Sequence, residues 1–174
     1  KVYILAAHAV ENAKLMLASE IGGPQVGKTL MDHPTIYAWG LAPKAIGAFR
    51  GPQSSSGLED LRGGAFRAKH AAFRFDIGND GWRASAGAPD TTVAQAVLQD
   101  NLFGTALVEH LRQTLPRQMR FSLAVEQLPD QANSVSIDPR YRDELGNARP
   151  VIDYRIDDYT LAGMEAAFAA AQAM

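Results

Sequence analysis

Residues 1–34 read KVYILAAHAVENAKLMLASEIGGPQVGKTLMDHP. Val2-Tyr3-Ile4-Leu5-Ala6-Ala7 is apolar without alternation. That is the pattern of a strand covered on both faces, as in a parallel sheet. His8-Ala9 leaves room only for a tight turn. Val10, Ala13 and Leu17 then fall on one line of a helix, with Leu15 and Met16 beside them. Gly22-Gly23-Pro24 closes that helix. A strand turning directly into a helix aims the helix's free N–H groups and positive end at the carboxyl edge of the sheet. Phosphate-bearing cofactors bind there in open α/β sheets.

Gly22-Gly23-Pro24-Gln25-Val26-Gly27-Lys28-Thr29 matches the phosphate-binding pattern G-x-x-x-x-G-K-T. Its mechanism needs a strand entering the loop and a helix leaving it, so that stacked N–H groups cradle phosphates. Here a helix enters, and Pro34 forbids a long helix afterwards. A P-loop nucleotide-binding protein is therefore the disfavoured alternative.

Thr35 to Gly40 is β-prone and bounded by breakers. Residues 41–64 are rich in Gly, Pro and Ser and read as a long loop with a short helix at most. Lys69 to Ile77 predicts a strand with Ala71, Phe73 and Phe75 on one face. One broad-faced helix is expected from Asp90-Thr91-Thr92, with Thr92 and Gln95 in capping-box spacing, to about Thr114 before Pro116. Phe121, Leu123 and Val125 alternate with polar or small residues, as a half-buried strand does. Val135 with Ile137, and Ile152 with Tyr154 and Ile156, predict two more strands. The polar stretch 138–147 between them is expected to turn. An amphipathic helix follows from about Asp158, capped by Asp157 or Asp158. Antiparallel strands flanked by helices place the chain in the α+β class.

The composition excludes several functions. Of 174 residues 47% are hydrophobic and 21% charged, with a net charge of −2, so no basic face for nucleic acid is implied. With no cysteine there is neither a disulfide nor a thiolate metal site. No apolar run is long enough to span a bilayer, which predicts a soluble protein without direct membrane insertion, its compartment (cytoplasmic or periplasmic) open. The acids of 138–147 do not follow a calcium-loop pattern, and no metal is expected. No Ser-His-Asp set, Glu-x-x-His pair or nucleophile elbow can be assembled.

His33, between Asp32 and Pro34, reads either as a cleft residue polarised by a carboxylate or as a structural histidine. Arg50-Gly51-Pro52-Gln53 reads either as a loop lining a cleft or as a connection with a solvated arginine. The strand pattern begins at residue 2, and the face of Leu161, Met164, Phe168 and Ala171 is still in register at Met174. This predicts a piece of a longer protein, the alternative being a short processed one.

ILAAHAVENAKLMLAS followed by VGKTLMDHP resembles the glucose–methanol–choline (GMC) family of FAD-dependent oxidoreductases, nearest its bacterial sugar and polyol dehydrogenases. Residues 49–57 (FRGPQSSSG), Val125-Glu126-Gln127-Leu128-Pro129 through Asn133, Asp143-Glu144-Leu145-Gly146 and Asp157-Asp158-Tyr159 resemble it in the same order. His8 departs from the family's usual Gly or Asn, and Lys28 from its Arg. The resemblance implies an antiparallel substrate-binding domain over residues 35–174, preceded by a strand–helix fringe of an FAD-binding α/β domain over residues 1–34. It implies Ala7 and His8 beside the cofactor, with His33 and Arg50 on the substrate side. It also implies hydride transfer from an alcohol, a sugar or polyol, to FAD. The family's Gly-rich FAD fingerprint and its C-terminal histidine pair have no counterpart in these residues. No catalytic residue is therefore expected here, nor tight FAD retention; the expected partners are the small alcohol substrate and the missing FAD-domain segments. The alternative from another class is a non-catalytic module that binds a small ligand.

Overall fold

A computed structural model describes residues 2–52, 54–82 and 89–174; Gln53 of the Arg50-Gly51-Pro52-Gln53 loop lies outside the described residues. The chain is α+β, with an antiparallel sheet flanked by helices. It divides into two compact units, Lys1–Asp32 with Gln127–Asp157, and His33–Glu126 with Asp158–Met174.

In the first unit helix α1 (Ala9–Ala18) packs on a hairpin. Val2–Ala7 does not form the strand expected from its composition. It joins no ladder among the described residues, and Val2, Tyr3 and Ile4 are 89%, 86% and 85% exposed. An apolar run becomes a strand only where a neighbouring strand takes its N–H and C=O groups, and no strand among the described residues does so. Asn12 ties the end of the run to the helix, with Oδ1 accepting from Ala7 N at 2.9 Å. Gly27 and Lys28 run beside the hairpin: Val135 N donates to Gly27 O at 2.7 Å, and Lys28 bridges to Ser134. A Cβ on Gly27 (φ 77°) would overlap the Val135 carbonyl oxygen. The glycine of the G-K-T pattern thus serves a backbone approach, and no helix leaves the loop among the described residues.

The hairpin pairs β5 (Ser134–Arg142) with β6 (Ala148–Asp153). Residues 138–142, expected in a turn, extend β5 past a register shift between Asp138 and Arg142. Asp138 Oδ1 accepts the Arg140 N–H at 2.9 Å, which satisfies the bulged backbone. Asn133, buried, bonds both backbone groups of Arg155, Nδ2 to O at 3.0 Å and Oδ1 from N at 2.9 Å.

In the second unit four antiparallel strands lie in the order β1 (Thr35–Leu41), β4 (Gln118–Val125), β3 (Phe73–Gly78), β2 (Ser54–Leu58). β2, inside the expected loop, carries no periodicity and is a strand only because β3 offers it an edge. β4 does not join β5 and β6 as their order in the chain suggests, because both of its edges are taken by β1 and β3. The expected single helix is two, α2 (Pro89–Leu98) and α3 (Gly104–Thr114). Asn101, between them, and Gly104, the first residue of α3, adopt positive φ, which breaks the helical path. α2 starts three residues before Thr92, so Thr92 is no cap; its hydroxyl accepts from Gln118 Nε2 at 3.1 Å.

Odd-numbered β4 residues Phe121, Leu123 and Val125 meet Phe73 and Phe75 in the core. Phe75 and Phe121 contact edge to face, their ring centroids 5.8 Å apart. Helix α4 (Asp158–Gln172) covers this face with Gly163, Ala167 and Ala171. Leu161 and Phe168, expected on the buried line, remain 43% and 45% exposed. Small residues win that face because the backbones approach closely: a Cβ at position 163 would lie 2.7 Å from Ala71 Cβ and 2.9 Å from its carbonyl oxygen.

Two outcomes follow from this packing. Gly163→Ala should lower stability by about 1–3 kcal/mol in urea unfolding, through overpacking. Helix propensity alone would raise it by about 1 kcal/mol, so the sign decides which effect dominates. At the hairpin tip, Asp143 accepts from Asn147 N at 2.8 Å and Leu145 N at 3.0 Å. The Asn147 N–H foremost holds its carboxyl below the ordinary 3.8. A depressed folded value gives stability that is present above 3.8 and lost as pH falls through the folded value. On acidification below about pH 4 the tip's amides should therefore lose protection relative to an unstructured peptide at the same pH, and Asp143→Asn should remove that dependence.

Candidate functional site

The sequence singles out Ala7 and His8 in the first unit, and His33 and Arg50 in the second. His8 is the N-cap of α1, at φ 77° and ψ 153°, a region reached without strain only by glycine. Its Nδ1 accepts from Val10 N at 3.4 Å, a weak cap. Both Ala7 and His8 are exposed. With the Ala7 amide on Asn12 and the Val10 amide on His8, this terminus has already engaged two of its donors.

His33 lines a concavity of about 570 Å³ at the end of β3 and β4, together with Arg62, Arg67, Arg74 and Glu126. The strand register puts Glu126 just beyond β4, and its N–H donates to Ala72 O at 2.8 Å. Arg67 Nη2 meets Glu126 Oε1 at 2.7 Å, and Tyr159 Oη donates to Arg67 O at 3.1 Å. Arg62 pairs with Glu59 at 3.0 Å; Arg74 bridges Glu59 at 3.3 Å and Asp76 at 2.5 Å. Glu126 Oε2 is buried without a hydrogen-bond partner among the described residues. Each of the three arginines already faces a carboxylate, so the concavity carries little uncompensated positive charge.

Arg50 lines a different concavity, of about 370 Å³, with Phe49, Leu115 and Pro116. Asn79 anchors its loop, accepting the Phe49 N–H at 2.7 Å and donating through Nδ2 to Arg50 O. The structure does not bring His33 and Arg50 into one cleft. Among the described residues no cluster of three or more His, Asp or Glu could hold a metal ion. No helix among them is long and apolar enough to cross a membrane.

Sequence reasoning passed over Arg120. It is 5% exposed, on the sheet face opposite α4, with Nη2 on Asp80 Oδ1 at 2.8 Å and its guanidinium 5.6 Å from the Tyr37 ring. A Cβ at Gly78 would meet that guanidinium at 2.6 Å, so the glycine makes its room. The signal was present: the even positions of β4 hold an arginine within an otherwise half-buried alternation. Arg67 and Glu126, 59 residues apart, left no such signal.

No family model matches the chain. It is 28% identical over 168 residues to the fructose dehydrogenase large subunit of Gluconobacter japonicus. The match covers 91% of this chain and 30% of that protein, so the chain spans about a third of that protein's length.

His8 provides a test at the expected cofactor edge. His8→Gly should raise stability by about 0.5–1 kcal/mol, since relief of positive-φ strain outweighs a weak cap. A thermal-unfolding series with His8→Ala, which keeps the strain and loses the cap, should move in the opposite direction.

Proposed function

We propose that this chain is the substrate-side portion of a flavin-dependent dehydrogenase that oxidises a CH–OH group of a sugar or polyol. The observation that carries the reading is the 28% identity to a fructose dehydrogenase large subunit along 91% of the chain. The order of the GMC-like segments, from ILAAHAVENAKLMLAS to Asp157-Asp158-Tyr159, supports it. In this reading residues 1–34 border the FAD-binding domain, with Ala7 and His8 as an edge contact, and residues 35–174 belong to the substrate-binding domain. FAD, when bound, supplies the hydride acceptor, and the groups that enclose it lie on other segments. The part left to these residues is to bind and orient a hydroxylated substrate. The concavity lined by His33, Arg67 and Glu126 offers polar side chains for that. Arg50 contributes to the substrate side through a separate loop.

The test is spectroscopic. The full-length product of the gene should carry flavin absorbance that a panel of sugars and polyols, fructose included, bleaches anaerobically. The 174-residue chain alone should be colourless. A full-length product without flavin, or with flavin that none of the panel reduces, overturns the reading.

A further inference from the structure

Strand β1 lies at the edge of its sheet, and its free side has a defined hydrogen-bonding pattern. Val125 N donates to Pro34 O at 2.9 Å, and Ala42 N donates to Arg117 O at 2.8 Å. With the antiparallel register of β1 on β4, the even-numbered residues bond to β4. Thr35, Tyr37, Trp39 and Leu41 therefore turn their N–H and C=O groups to the open side. The backbone groups of Tyr37, Trp39 and Leu41 have no hydrogen bond there among the described residues. The strand TIYAWGL carries no proline, no charge and no register shift, the devices that ordinarily protect an edge.

A groove of about 560 Å³ follows this edge, lined by Ile36, Tyr37 and Trp39 of β1 and by Met164 and Phe168 of α4. Trp39 is 52% exposed. The groove thus combines a row of alternating backbone donors and acceptors with mostly apolar walls, Glu165 being the charged residue among its lining. A small polar molecule could bond to the backbone row but not fill the apolar walls, whereas an extended chain segment with apolar side chains meets both demands.

We propose that the free edge of β1 and the groove beside it receive a further β-strand from the same polypeptide, one lying outside these 174 residues. The source is argued from length: the dehydrogenase subunit similar to 91% of this chain is more than three times as long, since the chain covers 30% of it. The inference rests on the proposed function to the extent that both take the chain to be part of a longer protein. The incoming strand adds one ladder to the sheet and turns alternate apolar side chains towards Met164 and Phe168.

Amide hydrogen exchange tests it in the full-length gene product and in the 174-residue chain. The Ile36, Ala38 and Gly40 amides, bonded to β4, should be protected in both and serve as controls. Those of Tyr37, Trp39 and Leu41 should exchange rapidly in the 174-residue chain and slow by on the order of a hundredfold in the full-length product. Rapid exchange at these three positions in the full-length product overturns the proposal. So does protection that appears in the 174-residue chain as its concentration rises, which identifies a second copy as the occupant. Slow exchange in a full-length product that binds no flavin leaves this inference standing while the proposed function falls.

Discussion

The contact between Gly163 and Ala71 sets the second unit. Because position 163 has no Cβ, α4 meets the chain before β3 at backbone distance, and Ala167 and Ala171 complete a face of small residues. That choice fixes the helix's rotation. With the small residues turned to the sheet, Leu161 and Phe168 are carried outward, and Met164 and Phe168 come to flank the edge of β1. A helix rotated to bury its largest side chains would fill that groove. The packing constraint in the core and the open edge of the sheet are thus two consequences of one close approach.

Glycine has the same role in the first unit. Gly27 allows the 27–28 segment to lie against β5, where any side chain would overlap the Val135 carbonyl. A nucleotide-binding pattern and a backbone bridge ask the same of a glycine, and the local letters cannot distinguish them. The elements on either side do: a helix enters and a bridge leaves. His8 is the opposite case, a side chain held where only glycine is at ease, and its ring compensates in part by capping the helix it strains.

On the polar side of the second unit the charges are placed in pairs. Asp80 holds Arg120 beneath Tyr37, Glu59 and Asp76 share Arg74, and Glu126 meets Arg67. With each of these arginines facing a carboxylate, this side of the unit carries little uncompensated positive charge.

Residues whose roles depend on near neighbours were legible in the sequence. The alternation of Phe121, Leu123 and Val125, the run Thr35 to Gly40, and the helix from Asp158 each follow from local periodicity, and together they announce the α+β class. Of the candidate site, His33 and Arg50 could be singled out by type and context. Partnership could not be read in the same way. Ser54–Leu58 is a strand only because β3 lies beside it, and Val2–Ala7 is not one because no strand among the described residues does. Arg67 joins Glu126, and His33 parts from Arg50, through contacts between residues far apart in the chain. A ladder, an ion pair and a groove each need two surfaces, and a sequence read along its length supplies one surface at a time; tertiary packing supplies the second.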